Sequence, residues 1–153
     1  MNNKNMNEIL EGILSVFPVF NKKIRKIGED ILKDEEISRA HVHLIESLRR
    51  NGACSMTQLG KMLSISKPNV TTLVDKLVEL EMVKRKFDEN DRRITLIELS
   101  EEGHNFFNTL LQTMKIALSK NMQKFTEDDL DLFKETIKNM KLLVSKMNEG
   151  REG

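Results

Sequence analysis

Along this chain the spacing of apolar positions switches between the three-and-four step of a helix and the two-step of a strand. From Ile13 through Phe17, Phe20, Ile24, Ile27 and Ile31 the steps alternate between four and three, which predicts a long helix over residues 6–33 with a packing seam. Gly12 and Pro18 interrupt it, so a kink or a division into two shorter helices is expected there. Asp34 to Ile37 reads as a connector. Ser38 is then placed to cap a helix with Leu44, Ile45 and Leu48 on its apolar face, ending at Asn51-Gly52. Ser55-Met56-Thr57-Gln58 has the spacing of a capping box and predicts a short helix with Leu59, Met62 and Leu63 inward. Ser66 can cap the next helix, and Pro68 falls in its first turn, where a missing N–H forfeits no helix bond.

In that next helix Val70, Leu73, Val74 and Leu77 share one side, with Leu80 at the margin. Pro68, Thr72, Asp75 and Glu79 face the other way, flanked by Asn69, Thr71 and Lys76. Val83 to Phe87 is then a short strand with Val83 and Phe87 on one face, and Ile94 to Leu99 is a β-branched second strand. Between them Asp88-Glu89-Asn90-Asp91 is turn chemistry, followed at once by Arg92-Arg93. A short third strand is expected near Cys54. Ser100 with Glu101 and Glu102 begins another helix, whose Phe106, Phe107, Leu110, Leu111 and Met114 open a broad apolar band. Thr126 starts a final helix, with Leu130, Phe133, Ile137, Met140, Val144 and Met147 again stepping by three and four.

The resulting fold class is mainly α with a small β-wing: a winged helix-turn-helix domain flanked by N- and C-terminal dimerisation helices. The boundaries read as 1–33 for the N-terminal dimerisation region, 34–100 for the winged domain and 101–153 for the C-terminal dimerisation helices. Seams on both terminal regions point to a homodimer, the competing arrangement being a monomeric bundle in which the seams meet each other.

Composition narrows the chemistry. The net charge is only +1, so the whole chain does not advertise nucleic-acid binding; residues 61–93 carry two more basic than acidic side chains, and their placement matters more than their number. There is no Gly-rich phosphate loop, nucleophile motif or paired set of metal ligands, which argues against an enzyme and against a cofactor. His41 and His43 cannot share a helical face, so no metal site is expected. No run approaches the roughly 18 apolar residues of a membrane span, and polar Met1 to Asn7 does not read as a secretory leader, so no membrane partner and a cytoplasmic location are expected. The single cysteine, Cys54, excludes an intrachain disulfide and reads as a small buried apolar residue.

The candidate site is an interface with double-stranded DNA. Lys67, Asn69 and Thr72, beside Pro68, suit base edges in the major groove, while Ser64, Ser66, Thr71 and Lys76 suit phosphates. Asp75 and Glu79 would repel phosphates, so the N-terminal half of the helix is the half expected to enter the groove. Arg92 and Arg93 at the hairpin tip suit the minor groove, with Asp91 orienting Arg93 and Arg85 adding to the cationic wing. The alternative is a winged-helix protein-interaction module without DNA binding, which has no need of Lys84, Arg85, Arg92 and Arg93 in one region.

The run Leu63-Ser64-Ile65-Ser66, then Val70, Thr71, Leu73, Val74, Asp75 and Leu77, then Val83, Arg85, Asp91-Arg92-Arg93, Leu99-Ser100 and Gly103, resembles the MarR family of bacterial transcriptional regulators. The resemblance implies a homodimeric repressor or activator reading a pseudo-palindrome, often with affinity lowered by a small phenolic or other ligand, or by oxidation. A pocket for a small aromatic effector is expected where the first, second and fifth helices meet the winged domain, lined by Phe17, Phe20, Leu44 and Phe107. His41 stands where the family usually has a Gln that closes a capping box, and structural capping is its leading reading. Glu81 stands where the family usually has the Gly that ends the recognition helix, so the helix end is expected to differ by up to a turn.

Overall fold

The computed structural model describes residues 3–89 and 91–149; Asn90, part of the expected wing turn, lies outside them. The order is α1 (Asn3–Leu32), α2 (Arg39–Asn51), β1 (Cys54–Ser55), α3 (Met56–Leu63), α4 (Lys67–Glu79), β2 (Val83–Phe87), β3 (Thr95–Leu99), α5 (Glu101–Asn121) and α6 (Glu127–Glu149). The chain divides into two units, residues 1–118 and 119–153.

In the first unit the long N-terminal helix forms in one piece. It runs unbroken through Gly12 and Pro18, so a division into two helices is not found. Pro18 removes only one i→i−4 bond, and the other backbone bonds of the helix remain available on either side of it. Helix α2 is held at its start by the box the sequence predicted: the Ser38 backbone N–H donates to His41 Nδ1 at 2.9 Å. At its end Gly52 takes a positive φ of 74° and its N–H reaches Leu48 O at 2.8 Å.

Ser55 closes a second capping box with Gln58, the Gln58 N–H donating to Ser55 Oγ at 3.3 Å and the Ser55 N–H to Gln58 Oε1 at 2.8 Å. Helices α3 and α4 then end in the same way. Ser64 (φ 54°) and Glu81 (φ 58°) are the non-glycine residues with positive φ among those described. Each follows its helix with a paired set of bonds: Ile65 N–H to Gly60 O at 3.1 Å with Ser64 N–H to Lys61 O at 3.3 Å, and Met82 N–H to Leu77 O at 2.8 Å with Glu81 N–H to Val78 O at 3.0 Å. These are Schellman motifs built without glycine. The end of α4 therefore does not shift by a turn; Glu81 accepts the left-handed conformation.

The reason lies across the fold, in Ser100 and Gly103. Ser100 is buried; its hydroxyl donates to Glu81 O at 2.6 Å and its N–H to Met82 O at 3.0 Å. The same Oγ accepts the Gly103 N–H at 3.0 Å, capping α5. A Cβ on Gly103 would lie 2.2 Å from Met82 O and 2.6 Å from Leu99 Cδ1. The turn after α4 and the start of α5 thus lock together at a distance only glycine permits. This accounts for the Leu99-Ser100-x-x-Gly103 pattern in the sequence.

The three strands form one antiparallel sheet in the order β1-β3-β2, with Cys54 opposite Ile97 and Val83 opposite Leu99. Leu44, Ile45, Leu59, Val70, Val74, Leu77 and Ile97 are wholly buried between the sheet and helices α2 to α4. Cys54 joins this core, and burial pushes its thiol pKa up, as a structural rather than reactive cysteine requires.

In the second unit Thr126 caps α6 reciprocally with Asp129. The Asp129 N–H donates to Thr126 Oγ1 at 3.2 Å, and the Thr126 N–H donates to Asp129 Oδ2 at 2.9 Å. Phe125 and Phe133 pack edge to face with centroids 6.3 Å apart. No described helix is long and apolar enough to cross a membrane.

Candidate nucleic-acid interface

Burying Val70, Val74 and Leu77 fixes which way α4 faces, and its first two turns therefore present Lys67, Pro68, Asn69 and Thr72 to solvent. Ser66 occupies the N-cap position, yet its hydroxyl makes no capping bond, contrary to the expected role. Pro68 has no N–H and the chain before Ser66 curls away at Ser64, so the hydroxyls of Ser64 and Ser66 stay exposed at the positive end of the α4 dipole. The Thr71 and Thr72 hydroxyls donate to Lys67 O at 3.1 Å and Pro68 O at 3.2 Å. Each keeps lone pairs that can accept from a base amino group. To donate to a phosphate, Thr71 has to release its backbone bond.

The acids on α4 are neutralised from neighbouring elements. Asp75 Oδ1 accepts from the guanidinium of Arg85 on β2, joining helix to wing. Lys76 Nζ lies 2.7 Å from Glu36 and 3.4 Å from Glu79, and its side chain is only 27% exposed. The Glu36 contact holds the Lys76 pKa above the usual lysine value and the Glu36 pKa below the usual carboxylate value. Two residues assigned to DNA from sequence, Arg85 and Lys76, thus have carboxylate partners in the free protein. Glu36, forty residues away, was not visible as a partner because no local spacing connects it to α4.

At the wing tip Asp91 and Arg93 form a two-pronged pair: Arg93 Nε to Oδ1 and the second guanidinium nitrogen to Oδ2, both at 3.0 Å, with the Arg93 N–H also on Oδ1 at 3.0 Å. These bonds hold the Asp91 pKa below its ordinary value and raise that of Arg93. The Asp91 N–H is itself held by Asp88 Oδ1 at 3.0 Å, and the Asp88 N–H reaches Ile94 O at 3.0 Å. The Arg93 side chain nevertheless remains 90% exposed. It is a cation splinted in one direction with its stem in water. Arg92 is exposed beside it and makes no ion pair among the described residues.

The four expected pocket residues do not converge. Leu44 is sealed in the core, and Phe17 and Phe20 sit on an exposed stretch of α1. Phe107 alone lines a groove, shared with Ile24, Arg25, Gly28, Leu32 and Arg39. The two arginines there flank Glu29, each 3.7 Å from its carboxylate. The seam periodicity had grouped Phe17 and Phe20 with Ile24 but could not say where along α1 the covering helices stop. Among the described residues no group of His, Cys, Asp and Glu could hold a metal ion.

The sequence profile of the MarR family matches residues 37–95, from the start of the buried core to the beginning of β3. The HTH-type transcriptional regulator MhqR of Bacillus subtilis is 23% identical, over 86% of this chain and 93% of its own. The HTH-type transcriptional repressor MdtR of the same species is 19% identical, over 83% of this chain and 82% of its own. Among solved structures, the transcriptional regulator Tm0710 from Thermotoga maritima superposes with a TM-score of 0.75 at 18% identity, covering 95% of this chain and 98% of that one. The outward face of α4, the arginine-tipped wing and these relationships agree: residues 37–95 of this chain match the MarR family of DNA-binding transcriptional regulators, and the fold is that of solved regulators of this kind.

Proposed function

We propose that this chain acts in the cytoplasm as a homodimeric repressor that reads a pseudo-palindromic operator and is released by a small aromatic effector. The observation that carries the DNA-reading part is the Asp91–Arg93 splint, which holds an exposed guanidinium beyond the sheet while α4 presents Lys67, Asn69 and Thr72. In this reading α4 enters the major groove, and Ser64, Ser66, Thr71 and, after exchange of its carboxylate partners, Lys76 hold phosphates. Arg92 and Arg93 enter the minor groove, and Arg85 sets the angle of the wing through Asp75.

Two copies are needed because half-sites roughly 34–36 Å apart require two reading heads in fixed relation. The exposed apolar faces of α1 and α6 supply surfaces for that pairing, with 1–33 and 101–153 as the dimerisation regions. The groove lined by Phe107, Ile24 and Leu32 offers apolar walls beside two guanidinium groups, chemistry that suits a small aromatic acid. Such a ligand acts only by favouring one spacing of the two α4 helices over another.

The test is a gel shift on DNA from upstream of the protein's own coding sequence, repeated across salt. Arg93→Ala is expected to weaken binding to every sequence and to reduce the slope of log affinity against log salt by roughly one. Wild-type affinity and slope in that variant remove the wing from the interface. A thermal-shift screen with small aromatic acids addresses the effector, and no shift with any of them counts against release by such a ligand.

A further inference from the structure

Phe87 closes β2 with its side chain 69% exposed, although strand alternation puts it on the same face as buried Val83. The register explains the difference. Val83 pairs with Leu99, Arg85 with Ile97 and Phe87 with Thr95, so one face of the hairpin starts in the core and runs out beyond it. Arg85 on that face bonds to Asp75 of α4. Phe87 stands two residues farther out, about 7 Å along the strand. It therefore lies between the outer surface of α4 and the turn that carries Arg93. Lys84 and Lys86 project from the opposite face, and Lys86 is held there by Glu98 at 3.0 Å. An uncovered phenyl ring on a hairpin that also carries Lys84, Arg85, Lys86, Arg92 and Arg93, several of them paired with carboxylates, is a poor fit for a purely apolar protein partner. It suits a polyanion with apolar patches of its own.

We propose that Phe87 is a DNA contact whose ring packs on deoxyribose of the backbone strand that separates the major groove, where α4 sits, from the minor groove, where Arg93 sits. This rests on the DNA-binding reading above. The sugar offers C–H surface at that wall, whereas the phosphates on either side are met by the basic side chains. The contact displaces no counterion, so it adds affinity that salt does not remove.

The experiment measures binding of fluorescein-labelled DNA from upstream of the coding sequence to full-length wild type, Phe87→Ala, Phe87→Leu and Arg93→Ala across a salt series, with melting temperatures of each protein. Phe87→Ala is expected to bind about tenfold more weakly at every salt concentration with an unchanged slope and an unchanged melting temperature. Phe87→Leu is expected to recover most of the loss, since it restores apolar area without an aromatic ring. Wild-type affinity in Phe87→Ala overturns the proposal, as does a slope lowered like that of Arg93→Ala, or a loss that tracks a fall in melting temperature. If Arg93→Ala lowers the slope while Phe87→Ala binds like wild type, this inference fails alone; if neither changes anything, the wing reading fails with it.

Discussion

The winged region and the helices at the two ends of the chain have similar helical periodicity and opposite burial. Among the described residues every buried side chain, from Ile37 to Phe107, lies between those two positions. On α1 the seam residues Ile13, Phe17 and Phe20 are exposed, with Ile9 and Leu14 beside them, while Ile24, Ile27 and Ile31 are half-buried; on α6 the seam residues Leu130, Val144 and Met147 are exposed. A three-and-four pattern therefore states that a helix needs a partner, without stating whether the partner is in the same chain. The winged region completes its core by itself. Contiguous apolar surface of the kind left on α1 marks an interaction face.

The sharpest way to break this comparison is to truncate one leucine of each kind. Leu44 is 0% exposed, and Leu44→Ala is expected to destabilise the winged region by about 3 kcal/mol at any protein concentration, read from urea unfolding. Leu14 is 74% exposed, and Leu14→Ala is expected to leave unfolding of the single chain unchanged. It should instead raise the concentration at which dimers dissociate in sedimentation experiments, because anything bound only to the folded form stabilises by mass action. Equal, concentration-independent losses in both variants mean that Leu14 is covered within its own chain.

The same division governs what the sequence disclosed. Caps were readable because each is local: Ser38 with His41, Ser55 with Gln58 and the acids after Thr126 all lie within three residues of one another. The α4 core face and the two wing strands followed from period alone, and the Asp91–Arg93 splint from adjacency, whereas the pairing of the strands did not. What periodicity could not supply were contacts set by tertiary distance. Glu36 meeting Lys76, Arg25 rather than Phe17 reaching the groove, and Leu44 being sealed away all depend on how helices cross. Ser66 failed as a cap for a local reason that the residue type hides, since its backbone is placed correctly while its hydroxyl makes no capping bond and Pro68 in the first turn has no N–H to offer.

A smaller effect tests how firmly the winged region imposes its own geometry. Glu81 is held at φ 58° by a Schellman turn and by Ser100, a conformation that disfavours side chains with a Cβ. Glu81→Gly is expected to stabilise the protein by about 1 kcal/mol, seen as a higher urea midpoint with an unchanged slope. The carbonyl that accepts from Ser100 is backbone and survives the change. A loss of stability would mean that the Glu81 side chain contributes more than its conformation costs.

The smallest expected effect is a pH dependence inside the winged region. His41 Nδ1 accepts the Ser38 N–H at 2.9 Å, which requires that nitrogen to be unprotonated. Burial, followed by the nearby charge of Lys76, holds the His41 pKa below the ordinary histidine value; Glu36, the carboxylate on the other side of Lys76, leaves that net direction unchanged. The unfolded chain then binds a proton at a pH where the folded one does not. Stability contributed by neutral His41 is complete above the unfolded value of about 6.5 and is lost as pH falls through the depressed folded value. Gln at this position keeps the capping bond and does not titrate. His41→Gln is therefore expected to match wild type near neutrality and to lose less stability than wild type below about pH 6. Because the cap lies within one chain, the difference between the two pH profiles should be the same at every protein concentration; a difference that vanishes on dilution would relocate the titration to the contact between copies.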